Sequence, residues 1–335
     1  MSLNSLLFDY NGFLAAYNCT ALRKAQTRTE RSGCSFTGFS YLALSVLFVV
    51  LYIPCVIAML KRRVRAQICY RLMLYLGIVE ILSLSINGIA IGVISTMGIA
   101  YCDQPVLVHT LTLIGTSLWC TVSSAILVLA INRCMMISNT NVSQRLFNGD
   151  VACLMWMSIP TIAGLGAAWF VPPLVYSALR ATEPTTQHLA GESDSYPVSF
   201  YTYYNIIVLI SVITIYSVFL AMVFRKIYFS TNSESGRLTT LHQREVNTFL
   251  QVFINCLFLV ICIIGYLFQQ RYEDNVVLEQ VATYGYIIYQ GSPSVVYLCM
   301  NQTIRTELRQ MFRSRTIHPE GTQKYRSKPN APQLS

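Results

Sequence analysis

Arg133 stands in the run Leu129-Ala130-Ile131-Asn132-Arg133-Cys134, at the end of a long uncharged stretch. A cation in that place is either an anchor that snorkels to a polar boundary or a movable group that reaches into a groove at the helix end. Its neighbour Asn132 can hydrogen-bond but cannot neutralise it. Glu80, in Leu76-Gly77-Ile78-Val79-Glu80-Ile81-Leu82, is the one acid deep inside an apolar run. Such a carboxyl is either a protonated, hydrogen-bonded structural group or part of an interior network holding water or sodium. Pro293 and Tyr297 lie in Gly291-Ser292-Pro293-Ser294-Val295-Val296-Tyr297, where the proline removes a helix hydrogen bond and bends the chain. Asn87, Trp119, Tyr204, Tyr284 and Gln290 are of the types that line a ligand pocket, which joins apolar walls to a few placed polar groups. Each taken singly is more often a packing or membrane-boundary residue.

Reaction chemistry is not visible in the same survey. The histidines, His109, His188, His242 and His318, are scattered and form no His-Glu-x-x-His pair for zinc. No nucleophile stands with a base in a recognisable constellation, and no lysine lies inside an apolar run to carry a retinal Schiff base. The expectation is a protein that is not an enzyme, with no cofactor and no metal.

These residues need elements to hold them, and the charge distribution shows which. Hydrophobic residues make up 54% of the 335 and charged residues 12%, against about 25% charged in an ordinary soluble domain. Asp, Glu, Lys and Arg are absent from 32–60, 104–132, 151–179, 195–224, 246–270 and 280–304, and 72–102 contains only Glu80. Each run covers the roughly 20 residues a helix needs to cross a bilayer core. The reading is an all-α membrane protein, a seven-helix transmembrane bundle, with helices over 37–60, 70–97, 104–133, 151–174, 201–226, 246–270 and 279–301. In Thr303–Arg313, Ile304, Leu308, Met311 and Phe312 share one helical face, the pattern of an amphipathic helix on the membrane surface. No cleavable leader is evident in 1–18.

Seven spans put the termini on opposite sides, and basic residues mark the inner side. With the amino terminus outside, five Lys and Arg fall in the first inner loop, two in the second, four in the third and seven in the tail, 18 of the 24 in the chain. The expected organisation is an extracellular segment 1–36, the bundle 37–301, the surface helix 302–313 and a disordered cytoplasmic tail 314–335. The net charge of +9 then meets anionic inner-leaflet lipid, not nucleic acid. Cys19, Cys34 and Cys102 are the outward cysteines, so a disulfide would join Cys102 to Cys19 or to Cys34. Asn18-Cys19-Thr20 is the glycosylation sequon on the outer side. Asn141-Val142-Ser143 and Asn301-Gln302-Thr303 face inward.

A set of peptides in order along the chain resembles the nematode serpentine receptor class T family. They are Tyr17-Asn18-Cys19-Thr20, Leu51-Tyr52-Ile53-Pro54-Cys55, Cys69-Tyr70-Arg71-Leu72-Met73, Tyr101-Cys102-Asp103-Gln104-Pro105, Asn132-Arg133-Cys134, Leu146-Phe147-Asn148-Gly149 and Tyr297-Leu298-Cys299-Met300-Asn301-Gln302-Thr303-Ile304-Arg305. The chain departs from the family pattern at Asp150 and at Gln290, where a basic residue and a histidine are expected. The resemblance implies a chemosensory receptor of the G-protein-coupled type in the plasma membrane, in sensory neurons and their cilia. It also resembles rhodopsin-like receptors more distantly. Those carry an acid-Arg-aromatic triplet where Asn132-Arg133-Cys134 stands, an acid on helix two like Glu80, and a proline–tyrosine pair one residue closer than Pro293 and Tyr297. By that likeness Asn132, Arg133, Pro293 and Tyr297 form the coupling switch.

The function expected is therefore binding of an unknown small molecule or peptide on the outer side and signalling to a heterotrimeric G protein. A transporter or ligand-gated channel is the alternative, as is a non-signalling partner of another receptor. Paired intramembrane charges and broken helix pairs, which ion pathways favour, are not seen.

Overall fold

The computed structural model describes residues 31–99, 103–138, 146–147, 149–171, 196–230, 238–272 and 275–316. Among them no strand occurs. The first bundle helix, α1, is Arg31–Leu60, followed by the single turn α2, Arg62–Arg65. The second bundle helix has three parts: α3 (Ile68–Ser83), a π-helical stretch Leu84–Ala90, and α4 (Ile91–Met97). It stops at Gly98, whose φ of 65° is left-handed and suits glycine. The third to seventh are α5 (Pro105–Ser138), α6 (Asp150–Phe170), α7 (Tyr196–Ser230), α8 (Leu238–Arg271) and α9 (Val276–Met300). α10, Gln302–Thr316, follows after one residue, Asn301. Every expected helix is present. α5, α7 and α8 run beyond the uncharged stretches because a helix leaving the bilayer keeps its own backbone hydrogen bonds in water. α1 begins within the expected outer segment and α10 runs three residues into the expected tail. Residues 1–30 and 317–335, with Asn18, Cys19 and Cys102, lie outside the described residues, as does the side chain of Cys34. The glycan and disulfide expectations fall there.

Polarity is inverted relative to a water-soluble fold. Leu47, Val50, Ile53 and Ile57 on α1, Leu154, Ile162 and Leu165 on α6, and Ile207, Ile210 and Ile213 on α7 are exposed. Ser45, Glu80, Ser83, Asn132, Gln290 and Ser294 are wholly buried. A surface of that kind needs lipid around it. Six helices, α1, the second bundle helix, and α5 to α8, have spans long and apolar enough to cross a membrane. α9 is more polar, and its place explains why. Tyr289, Gln290, Ser294 and Tyr297 are buried against protein, and α9 packs on α8 and α1. A helix walled by its neighbours presents little surface to lipid and tolerates polar groups that find partners inside.

α5 is the hub of the bundle, touching the second bundle helix, α6, α7 and α8. Small residues set the closest approaches. At Gly291 a Cβ would lie 2.1 Å from Phe48 Cγ, so α9 meets α1 there only as glycine. Pro293 deprives the Tyr289 carbonyl of its helix donor, and the Ser292 hydroxyl supplies one at 3.0 Å. At the far end of α9, the side chain of Asn275 accepts from the Leu278 N–H at 3.1 Å and caps the helix.

Candidate functional site

Trp119 lies halfway along α5, where α7, α8 and α9 converge on it. Its indole N–H donates to Asn205 Oδ1 of α7 at 3.2 Å. Its ring stands 5.5 Å from that of Tyr286, 5.8 Å from Tyr289 and 6.0 Å from Tyr266. These are the tilted and edge-on spacings that aromatic quadrupoles favour. Beside it is a cavity of about 40 Å³ lined by Asn87, Gly115, Thr116, Tyr201, Asn205, Tyr266, Gln270 and Tyr286. Asn87 enters from the π-helical stretch, and its amide donates to Tyr286 Oη at 2.7 Å and to Ser83 Oγ at 3.3 Å. Its carbonyl oxygen, Oδ1, lies against Gly115, where a Cβ would come within 2.1 Å of it. Tyr201 Oη donates to Thr116 Oγ1 at 2.8 Å.

Of the residues picked from sequence for a pocket, Asn87 and Trp119 line this cavity together. Tyr204 is one position from Asn205 but points to α5, sharing a hydrogen bond with Ser123 at 2.7 Å and donating to the Cys120 carbonyl at 3.0 Å. Tyr284 hydrogen-bonds with Ser40 and packs edge-on against Tyr41, joining α9 to α1. Gln290 is wholly buried, outside the cavity, and its backbone carbonyl accepts from Tyr52 Oη at 3.3 Å. Tyr201, Asn205, Tyr266, Gln270 and Tyr286 were not singled out from sequence. They share amide or phenol groups with many other residues here, and only helix rotation separates them.

Next along the bundle is a layer around Glu80. Tyr52 donates a hydrogen bond to Glu80 Oε2, so α1 and α3 meet at a wholly buried carboxyl. Cys55 adds a weak contact from α1 to the Ser294 carbonyl of α9 at 3.7 Å. Glu80 Oε1 and the side chain of Gln290 have no partner among the described residues. The layer is thus a polar seam through three helices just where Pro293 bends the third.

The opposite end carries the basic residues. Arg133 is fourteen positions beyond Trp119 on α5, about 21 Å along the helix. It is half-buried and donates to the Met73 sulfur at 3.6 Å, with no carboxylate partner among the described residues. Asn132 is wholly buried, and neither its Oδ1 nor its Nδ2 has a hydrogen-bond partner among the described residues. Arg133 opens on a cavity of about 530 Å³ whose rim includes Arg63, Gln67, Tyr70, Gln251, Asn301 and Glu307. Asn301, between α9 and α10, is the fixed point of that cavity. Its Nδ2 donates to Gln251 Oε1 of α8 at 3.2 Å, while its Oδ1 accepts the Ile304 N–H at 3.1 Å and lies 3.4 Å from Tyr70 Oη. Ile304 is buried and α10 packs back on α1. Tyr297, one turn above, is also buried.

The geometry is that of two cavities along one central helix, one beside its midpoint and one near its Arg133 end, with a proline-containing helix alongside. The chain matches the family described as "Serpentine type 7TM GPCR chemoreceptor Srt" over residues 1–320. It is similar to Serpentine receptor class T-55 of Caenorhabditis elegans, 22% identical over 309 residues, which cover 89% of this chain and 81% of the relative. This multi-pass membrane protein belongs to the Srt family of serpentine seven-transmembrane chemoreceptors, a receptor class and not a class of enzymes.

Proposed function

We propose that the protein is a plasma-membrane chemosensory receptor, amino terminus outside, that binds a ligand beside Trp119 and signals to a heterotrimeric G protein through the cavity at Arg133. Family membership supports the receptor reading. The observation that carries the rest is that Trp119 and Arg133 share α5, while α9 touches Trp119 through Tyr286 and Tyr289 and ends at Asn301 in the second cavity. A ligand that parts Trp119 from its aromatic neighbours would move α8 and α9 relative to α5. The Gln251–Asn301 contact lies at the other end of that pair. The ligand acts by preferring the moved state, not by pushing. The basic residues around the second cavity support an inner position for it, with 302–313 along the membrane surface and 314–335 as a cytoplasmic tail. A small molecule or peptide fits the family, and sensory-neuron cilia fit a chemoreceptor.

The test is G-protein activation in cells at matched surface expression, with agonists found by screening. Arg133→Ala should reach the surface and bind normally but lose most of the signal. Asn132→Asp, which adds an acid beside the arginine, should lower basal activity a few-fold, since such a pair contributes at most about 1 kcal/mol unless desolvated. Full activation by Arg133→Ala would reduce that residue to a membrane anchor and remove the coupling half of the proposal.

A further inference from the structure

We infer that the cavity beside Trp119 selects a compact, uncharged ligand carrying a hydrogen-bond donor and rejects charged molecules of the same shape. The inference rests on the reading of this cavity as the ligand site and adds the chemical class. Among the described residues, no Asp, Glu, Lys, Arg or His lines the cavity. Nearest along the lining helices are Arg271, exposed and next after Gln270 at the end of α8, and Glu80, His109 and Glu279, each about two turns from Asn87, Thr116 and Tyr286. Glu80, His109 and Glu279 are wholly buried; Glu80 accepts from Tyr52, and the other two are engaged with other groups. A charged ligand would lose its water and meet no charged side chain in the described lining, a penalty that weakens binding by orders of magnitude in a protein interior. Neutral isosteres escape it.

The donor requirement comes from the acceptors. Asn205 Oδ1 is taken by Trp119, Thr116 Oγ1 by Tyr201, and Gln270 Oε1 by Thr202 at 2.7 Å. Tyr286 Oη receives the Asn87 amide. Asn87 is only 6% exposed, and its Oδ1 has no partner among the described residues. Asn87 lines the cavity, so this is the amide acceptor left unsatisfied there, and a bound N–H or O–H that enters between it and Gly115 satisfies it. The aromatic rings of Trp119, Tyr266 and Tyr286 offer flat faces. The volume, about 40 Å³, is far below the 300–1,000 Å³ of drug-sized sites, so the occupant is compact and side chains part to admit it.

Four flat probes of near-equal shape separate these features: benzamide, neutral with a donor; acetophenone, neutral without one; benzoate, an anion; and benzamidine, a cation. Thermal unfolding of the purified full chain in nanodiscs is measured with each at millimolar concentration. Benzamide should raise the midpoint by about 2 °C, as several-fold saturation of one site does. Acetophenone should bind about 10-fold more weakly and the two ions about 100-fold more weakly or worse. Asn87→Ser should abolish the benzamide shift, and Asn87→Asp, which installs the missing counter-charge, should transfer it to benzamidine. If neither variant folds, Trp119→Phe reports on the same cavity: it frees Asn205 Oδ1 as a further acceptor, so the benzamide shift should grow while those of benzoate and benzamidine stay small. No shift with benzamide, or equal shifts from benzoate or benzamidine, overturns the inference. Benzamide-selective stabilisation in a chain that activates no G protein leaves it standing and sinks the signalling proposal instead. An agonist that is charged and sensitive to Asn87→Ser does the reverse.

Discussion

Asn301 Nδ2 donates to Gln251 Oε1 at 3.2 Å, and both side chains are almost fully buried, at 4% and 3% exposure. That bond fastens α8 to the junction of α9 and α10. Asn301 also caps α10 through the Ile304 N–H, so one side chain sets both where α10 starts and how close α8 sits. Removing the bond frees α8 at the end where Arg133 opens.

Gln251→Leu should therefore raise ligand-independent G-protein activation. A buried hydrogen bond contributes about 1 kcal/mol net, which shifts a two-state equilibrium about fivefold. Basal signalling at matched surface level is the readout, and unchanged basal activity would show that α8 is held by packing alone.

Tyr52→Phe should destabilise the bundle by about 1–3 kcal/mol, because Glu80 loses its hydrogen-bond partner among the described residues while staying wholly buried. The pair Tyr52→Phe with Glu80→Leu should cost less than the two single changes summed, since no orphaned carboxyl remains. Thermal unfolding of the four proteins in one detergent measures the coupling. Simple additivity would mean that the contact contributes nothing.

Gly291→Ala and Gly285→Ala, on the same helix, should differ in sign. A Cβ at 291 meets Phe48 Cγ at 2.1 Å, whereas at 285 it meets nothing within 4 Å. The first change should cost about 1–3 kcal/mol by overpacking. The second should stabilise α9 by up to about 1 kcal/mol, the helix preference of alanine over glycine. Surface expression and melting temperature of the two variants decide it, and equal behaviour would contradict the α1–α9 approach.

Glycosidase-sensitive mass should vanish in Asn18→Gln and persist in Asn141→Gln if the amino terminus is outside. A glycan on Asn141 would reverse the orientation. Non-reducing peptide mapping should find Cys102 joined to Cys19 or Cys34, and three free thiols would remove that bridge.

The helices themselves were legible in the residues. Long uncharged runs such as 104–132 have one stable form in lipid, because every backbone N–H and C=O must be satisfied within the segment. Lone groups such as Glu80 and Arg133 were equally plain, since a charge in an apolar run has few explanations. What the residues could not give is rotation. Tyr204 and Asn205 are neighbours in sequence, yet one step turns a helix by about 100°, which sends the tyrosine to Ser123 and the asparagine to Trp119. Tyr284 and Tyr286 part in the same way, one to Ser40 and the other to the cavity. Polar types carry no periodic signal when every face of a helix is apolar, so their direction rests on which neighbour packs where. The π-helical stretch at Leu84–Ala90 adds a further offset that no composition announces, and it carries Asn87 to Gly115. Local chemistry thus determined that seven apolar segments become membrane helices. Tertiary packing alone, through close approaches such as Gly291 on Phe48, decided which of their polar groups meet.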